Sequence, residues 1–490
     1  MDILAAKQYR NYFLLGLVLT ILAAYFSIGY HHPDEHYQVF EFANYKLGFS
    51  SAKDLTWEFS AQCRPALQPF IVFCIAKAFI SIGLYNPFWV AFLVRLLTGV
   101  LIWWLTCKLI LLLLPTFKTD LGRKAYVFCS MFLWFMPYIN VRFSAENIAG
   151  LLLFTALFLL LKIDKNQNDR KSTSIIIAGL LLGFSLYLRI QIAFALVGVG
   201  LWILLKQKWN LKNYIQIIVS GAFSIGICLI IDRWFYGNWV LTPFNYYKVN
   251  IVQHKAAEFG ISPWWYYISS FFNTAVPPIS IFLLCFFFIG VVKKPMHLLS
   301  IILFSFLIGH SLIGHKELRF IFPIVYAFVF LVAIGIDNYF NNKPLKPAYK
   351  WIFRIVFFMN LGLLIFRIFS PAQEAMKYYS FIYDDAKKEN INLIAFDQSP
   401  YNSVGAETDF YKPKNLKITV IKNAGELKNI NLEKKDTSIL FFSPTLTLPN
   451  EMMGYKLEKL YCLLPNWVFK FNINHWEDRS NIGVIYKLTR

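Results

Sequence analysis

Eight consecutive residues, His31-His32-Pro33-Asp34-Glu35-His36-Tyr37-Gln38, place two adjacent carboxylates among histidines just after an apolar run from Tyr12 to Tyr30. Charge beside hydrocarbon is costly to keep and usually marks function. Adjacent carboxylates repel, which drives their pKa values apart. That suits a general base accepting a proton from a hydroxyl. The same residues also spell a helix start, with proline at the first position and acids in the first turn. The two readings are compatible, since a capped helix start also holds a carboxylate in place. Adjacency leaves open which of Asp34 and Glu35 is the base.

A second cluster, His315-Lys316-Glu317-Leu318-Arg319-Phe320, lies between two further apolar spans. His315, Lys316 and Arg319 offer cationic donors within one helical turn, and lysine and arginine are the residues that hold phosphate oxygens. Glu317 would orient or compensate one of them. The plainer reading is a polar loop whose long side chains snorkel at a membrane boundary. Arg64, Arg142 and Arg189 are further cations expected on the same face, with Arg64 the next phosphate candidate. Together the clusters predict an acid/base group and an anion-binding group working at one membrane face.

The rest of the chain must position them in a bilayer. Of 490 residues, 57% are hydrophobic and 18% aromatic, with only 16% charged. A soluble chain of this length carries more charge. The 49 Phe and 27 Tyr suit lipid-facing and interfacial positions. Apolar runs fall at about 11–29, 66–84, 88–114, 125–141, 147–161, 173–188, 190–205, 213–232, 266–290, 297–313, 320–337 and 351–369. A spanning helix needs about 20 apolar residues, fewer where neighbours compensate. The expectation is an all-α polytopic membrane protein with about 11–13 transmembrane helices.

The net charge of +20 raises nucleic acid as a partner. The basic residues sit in short loops between spans, which retention of positive charge on the cytoplasmic side explains better. Those loops are Lys7/Arg10, Lys118/Arg123/Lys124, Lys162 to Lys171, Lys206 to Lys212, Lys293/Lys294 and Lys343 to Lys350. The opposite, external side then receives 30–65, Arg142 to Asn147, Arg189, 233–265, His315 to Arg319 and everything after 370. An internal N-terminus with an external tail requires an odd number of crossings. The first span reads as retained, because it is too long for a signal-peptide core.

Segment 30–65 reads as a long external loop with amphipathic helical stretches that lie along an interface. Segment 233–265 is rich in Trp and Tyr, as an aromatic belt or as a wall that stacks on sugar. After 370 the composition changes, and half of the 28 acidic residues fall in 371–490. A helix-like stretch at 372–388 and strand-like runs at 392–396, 416–421, 438–442 and 482–486 predict a small soluble α/β domain. The seven cysteines show neither a CxxC pair nor metal-ligand spacing, and most lie in apolar runs.

The motifs carry a resemblance. His32-Pro33-Asp34-Glu35-His36-Tyr37-Gln38, then Thr56-Trp57-Glu58-Phe59 and Arg64-Pro65, resemble the first external loop of the Alg9-like, GPI-type mannosyltransferases, glycosyltransferase family 22 of the GT-C superfamily. The match continues at Asn140–Asn147, Arg189, Tyr236-Gly237-Asn238-Trp239, Pro243-Phe244-Asn245-Tyr246 and His315-Lys316-Glu317-Leu318-Arg319-Phe320-Ile321-Phe322-Pro323. It covers about residues 10 to 370. Where many members have Arg-Pro-Thr, this chain has Arg189-Ile190-Gln191.

The resemblance implies a GT-C transmembrane glycosyltransferase domain over 1–370, with 371–490 as an external soluble domain. It implies an inverting transfer of mannose from a polyprenyl-phosphate donor to a lipid-linked or lipid-anchored glycan. The work is done on the lumenal or periplasmic face. By position it implies Asp34 or Glu35 as catalytic carboxylate. Lys316, Arg319, His315 and Arg64 fall on donor phosphate, and His32, Gln38, Glu58, Arg189, Tyr236, Asn245, Tyr246 and Glu317 on substrate. The expected partners are a polyprenyl-phosphate sugar donor, a lipid-linked glycan acceptor and membrane lipid, with no nucleic acid. The sequence requires no cofactor but leaves a metal open: a monophosphate leaving group needs less metal help than a nucleotide diphosphate, and no DxD motif occurs.

The rival reading is a transporter or flippase of lipid-linked sugars. That would place charges mid-membrane, often with internal repeats. Here the charges cluster in loops. The abundance of Lys, Asn and Ile leans toward a bacterial inner membrane with a periplasmic active site, the alternative being the endoplasmic reticulum lumen.

Overall fold

The computed structural model describes residues 7–165, 172–207, 209–341, 343, 346–403, 405–429, 437–446, 451–452, 454–480 and 482–489. Most of the expected basic loop at 162–171 lies outside the described residues. The chain forms two compact units. The first comprises Met1–Ser27, Trp57–Cys74 and Ala91–Ser370, and the second Ile28–Thr56, Ile75–Val90 and Pro371–Arg490.

The α-helices of five residues or more, in chain order, begin with α1 (Arg10–Phe26), α2 (Pro33–Tyr37), α3 (Phe40–Leu47), α4 (Leu67–Ser81), α5 (Pro87–Leu113), α6 (Asp120–Met131) and α7 (Met136–Asn140). Next come α8 (Ala145–Lys165), α9 (Ser172–Leu188), α10 (Ala193–Lys206), α11 (Leu211–Tyr236) and α12 (Thr242–Tyr247). The last are α13 (Tyr266–Thr274), α14 (Ile279–Lys293), α15 (Leu298–Leu312), α16 (Val325–Phe340), α17 (Pro347–Phe369) and α18 (Ala375–Ala386).

Among the described residues five stretches are long and apolar enough to cross a membrane: Pro87–Thr116, Ala145–Asp164, Leu211–Tyr236, Leu318–Phe340 and Pro347–Phe369. A sixth arises if α14 and α15, bent by 117° at their junction, count as one span. Arg10–Phe26, Leu67–Ser81, Ser172–Leu188 and Ile190–Lys206 are shorter apolar helices. Two expected spans are broken. The run at 125–141 divides into α6 and α7, with Pro137 at the start of the second piece. The run at 266–290 divides into α13 and α14 around Val276-Pro277-Pro278, because proline cannot continue a helix from the preceding turn.

Local sequence sets the ends. Asn210 caps α11 by accepting the Asn213 N–H at 3.1 Å, and Gly237 ends it at φ +82°, where glycine has no Cβ penalty. Thr119 caps α6 through the Gly122 N–H at 2.9 Å. Asp337 on α16 holds that cap from outside, accepting the Thr119 N–H at 2.7 Å and the Lys118 N–H at 3.0 Å.

Helix pairs in a bilayer rely on close packing, which small residues permit. Gly290 on α14 and Gly335 on α16 are such positions. A Cβ on Gly290 would fall inside contact distance of the Leu331 carbonyl, and one on Gly335 would meet the Phe286 carbonyl. Both obstacles are helix backbone, so neither can swing aside. Gly290→Ala is expected to cost about 1–3 kcal/mol, the usual range for overpacking. A detergent melt checks this: a Tm equal to wild type would show that the helices separate freely.

The second unit carries a six-stranded sheet. Its strands are β1 (Asn390–Phe396), β2 (Leu416–Ile421), β3 (Thr437–Ser443), β4 (Glu451–Met452), β5 (Tyr455–Cys462) and β6 (Val484–Thr489), ordered β2-β1-β3-β6-β5-β4. β1 pairs in parallel with β2 and β3, and the remaining pairs are antiparallel. Ile394, Phe441, Val484 and Leu457 pack one core. Sequence reading misses β5, because Tyr-Lys-Leu-Glu-Lys-Leu buries only Leu457 fully and looks like a solvated charge run.

Candidate active site

In the second unit, His32 is the N-cap of α2, and its Nδ1 accepts the Asp34 N–H at 3.3 Å. Pro33 follows at the first position, where a missing N–H costs nothing. Glu35 reaches back to accept the His31 N–H at 2.9 Å and is only 4% exposed. Asp34 keeps 22% of its side chain exposed, with Oδ1 at 3.5 Å from His32 Nδ1. The adjacent carboxylates therefore separate, one buried in the loop's own backbone and the other at the surface.

His36 and Glu41 close the loop. Their side chains meet at 2.8 Å, both almost fully buried, and Glu41 also accepts the Phe410 N–H at 3.0 Å. Burial pushes the Glu41 carboxyl above its ordinary pKa, and the hydrogen bond to His36 opposes that rise. The His36 ring stacks on Tyr411 at 5.5 Å, and the Tyr37 hydroxyl meets Thr408 Oγ1 at 3.0 Å. Gln38 is buried. The α3 segment, expected to lie along a membrane interface, instead buries Phe40, Glu41, Phe42, Ala43, Asn44 and Leu47. The Phe410 ring packs against Phe40 on this helix, 5.0 Å between centroids.

In the first unit, Arg319 and Arg189 converge on one carboxylate. Arg319 Nη1 and Arg189 Nη2 each lie 3.0 Å from Glu146 Oε1. Arg319 also forks onto Glu317, Nε to Oε2 at 2.6 Å and Nη2 to Oε1 at 3.2 Å. Both guanidinium groups sit 5.2 Å from the Phe320 ring centroid. His315 Nε2 lies 3.0 Å from Glu317 Oε1, and its Nδ1 lies 3.0 Å from the Gly260 carbonyl. The Lys316 ammonium donates to the carbonyls of Ser262 at 2.8 Å and Ile313 at 2.5 Å. Lys316 thus ties the segment at 262 to the turn before α16, and burial lowers its pKa from the ordinary lysine value.

The His315 pKa is raised, chiefly by its hydrogen bond to Glu317. A raised folded-state pKa stabilises the fold below the unfolded value and loses that contribution as pH rises through the folded value. Wild-type Tm is therefore expected to fall as pH rises from below about 6.5. His315→Asn is expected to remove this part of the slope, and parallel melting curves for the two proteins would refute it.

Arg64 forms a third centre. Its Nη2 lies 3.6 Å from Glu58 Oε1, its guanidinium 5.1 Å from the Tyr246 ring, and its carbonyl accepts the Tyr236 hydroxyl at 2.7 Å. Asn245 Nδ2 donates to the Gln62 carbonyl at 3.1 Å. Arg64, Arg189, Gln191 and Tyr246 line one small cavity. Gln191 Nε2 donates to the Tyr246 hydroxyl at 2.9 Å. Asp232, fully buried on α11, gathers this wall by accepting the Ala66 N–H at 2.8 Å, the Tyr187 hydroxyl at 2.6 Å and the Thr242 hydroxyl at 2.7 Å.

A model of the Alg9-like mannosyltransferase family matches residues 11–401. The chain belongs to that family. It is 25% identical over 462 residues to GPI alpha-1,2-mannosyltransferase 3 of Xenopus laevis, an alignment covering 91% of this chain and 80% of that one. Against the Bos taurus protein of the same name the identity is 27% over 334 residues, covering 66% and 57%. The chain thus spans four fifths of the first relative's length but under two thirds of the second's. The crystal structure of ArnT from Cupriavidus metallidurans bound to undecaprenyl phosphate superposes with a TM-score of 0.52, covering 99% of this chain and 98% of that one at 12% identity. That likeness is one of fold, the GT-C type with a small C-terminal sheet domain. Family and fold make the chain an integral membrane glycosyltransferase.

Within the first unit the fold brings together Arg64, Glu58, Arg189, Tyr236, Asn245 and Tyr246 around one wall, and His315, Lys316, Glu317 and Arg319 around another. Arg189 belongs to both. Arg142 stands apart, donating from Nη2 to the Ser27 carbonyl at 2.6 Å with its guanidinium 4.9 Å from the Tyr138 ring. Sequence reading missed Glu146 as the link between two arginines and Asp232 as the organiser of the wall. Both left a signal: Glu146 opens an apolar helix, and Asp232 is an acid inside one, where a charge asks for a partner.

Proposed function

We propose that this membrane glycosyltransferase moves mannose from a polyprenyl-phosphate donor to a lipid-linked or lipid-anchored glycan, with inversion, on the face opposite its basic loops. That face is periplasmic in a bacterial inner membrane and lumenal in the endoplasmic reticulum. The observation that carries the reading is the buried Arg189–Glu146–Arg319 cluster, extended by the half-buried Glu317, found in a member of a mannosyltransferase family.

Asp34 accepts the proton of the acceptor hydroxyl. The freed oxygen attacks the anomeric carbon from the side opposite the phosphate, forming the new glycosidic bond as the bond to the phosphate oxygen breaks. Negative charge gathers on the departing polyprenyl phosphate. Fixed cations stabilise developing charge best where water is scarce. Arg64, Arg189 and Arg319 serve that role, with Lys316 and His315 as the outer members of the set. Glu146 and Glu317 hold the guanidinium groups in orientation, and Glu35 and His32 hold the loop that carries Asp34. Tyr236, Tyr246, Asn245, Glu58 and Gln38 shape the substrate walls. An ordered polyprenyl phosphate in the ArnT structure is a property of that protein, and it supports the choice of donor class here.

The purified protein, given labelled polyprenyl-phosphate mannose and a panel of lipid-linked acceptors, is expected to yield a product heavier by one hexose. Absence of any transfer, with movement of lipid-linked sugar across vesicles, would establish a transporter instead. Single cysteines near 36 and 315, in a background lacking the native cysteines, are expected to react with an impermeant reagent from the same side. Labelling from opposite sides would defeat the mechanism, since both groups must act at one carbon.

A further inference from the structure

A second, larger cavity lies wholly within the second unit and is lined by none of the residues given a catalytic or substrate role above. It encloses about 800 Å³ between the 44–54 segment, Tyr85, the end of α18 and the 409–416 segment. Ligand pockets run about 300–1,000 Å³. Its lining combines rings with groups that can donate or accept. Phe49 and Tyr85 meet edge to face at 5.7 Å. Asn44, only 1% exposed, and Ser50 also line it, and among the described residues the Asn44 Nδ2 and the Ser50 Oγ have no hydrogen-bond partner.

The charges narrow the ligand class. Lys412 lies 3.2 Å from Asp409, and Lys387 lies 2.7 Å from Asp384. The Lys414 ammonium sits 4.3 Å from the Phe49 ring centroid. Each lysine of the lining is therefore already engaged by a carboxylate or a ring. A phosphate site would present converging cations, as Arg64 and Arg189 do. Rings beside mixed donors and acceptors, with charge balanced, instead fit a neutral polyhydroxylated ligand, whose apolar faces stack while its hydroxyls pair.

We propose that this cleft binds a neutral oligosaccharide, a part of the acceptor glycan other than the residue that receives the new sugar. The identification of that glycan as acceptor rests on the function proposed above; the saccharide site itself does not. The test uses the full-length protein in a detergent without a sugar headgroup. Saturation-transfer NMR with α-linked mannotriose is expected to show binding, with contact strongest at the ring C–H groups. Phe49→Ala and Tyr383→Ala, the second removing the ring that α18 contributes to the lining, are each expected to weaken binding by about five-fold, the loss of one ring contact, and to raise the acceptor KM while leaving the donor KM unchanged. No binding by a protein that still transfers mannose would overturn the cleft and leave the enzyme reading intact. Binding that survives both substitutions unchanged would also overturn it. Binding by a protein that transfers nothing would keep the saccharide site and sink the enzyme reading.

Discussion

Asp34→Asn is expected to lower mannosyl transfer by about 10²–10⁴-fold, the usual contribution of a general base, with normal expression and normal donor affinity. The substitution keeps the size of the side chain and removes only its capacity to take a proton. Asp34 is the accessible carboxylate of the pair, and its backbone N–H, which holds the helix cap through His32, is untouched. Glu35→Gln should behave differently. Its Oε2 accepts the His31 N–H in a buried setting, and an amide oxygen can accept the same bond. A modest loss is expected, accompanied by a lower Tm. Single-turnover kinetics on both variants separates the roles. Near-wild-type turnover by Asp34→Asn would move the base to Glu35 or remove it from this loop.

Glu146→Ala is expected to be the most destabilising single change in the transmembrane unit. It leaves two buried guanidinium groups without the carboxylate oxygen they share at 3.0 Å. Removing one partner of a buried ion pair typically costs about 3–5 kcal/mol, because an uncompensated charge stays behind. Glu146→Gln retains an acceptor oxygen and should retain part of the stability, while weakening the orientation of Arg189 and Arg319 and so the donor affinity. Thermal unfolding in detergent with a donor titration reads both effects. A Glu146→Ala protein with wild-type Tm would show that the arginines find other partners, and Glu146 would lose its place at the centre of the cluster.

The acid loop and the cationic cluster were legible because each concentrates charge where the surrounding sequence is apolar. Arg64, Arg189 and Arg319 stood out for the same reason. The roles within each cluster were not legible. Adjacency made Asp34 and Glu35 equivalent, and only the turn of α2 put one at the surface and the other against the His31 N–H. His36 looked like part of a reactive motif, yet with Glu41 it anchors the loop to Phe410, a residue hundreds of positions away that no local pattern links to it. The further partners of Lys316 were not legible either: its ammonium also donates to the Ser262 and Ile313 carbonyls.

Hydropathy marked the membrane-spanning character of the chain, since the cost of burying unpaired backbone in lipid forces long apolar helices. It could not tell a helix facing lipid from one facing other helices. Leu211–Tyr236 and Leu318–Phe340 are similarly apolar, yet the apolar part of the first is mostly uncovered by protein and that of the second mostly buried in it. Lipid and a protein interior are equally apolar, so composition carries no sign of the difference. Residue chemistry and local periodicity were enough to read the membrane class and the charged motifs, while the family was read from the resemblance those motifs carry. Which arginine shares which carboxylate, which acid is accessible, and where Asp232 and Glu146 do their work were settled only by packing, because those partners are brought together by contacts between helices and not by spacing along the chain.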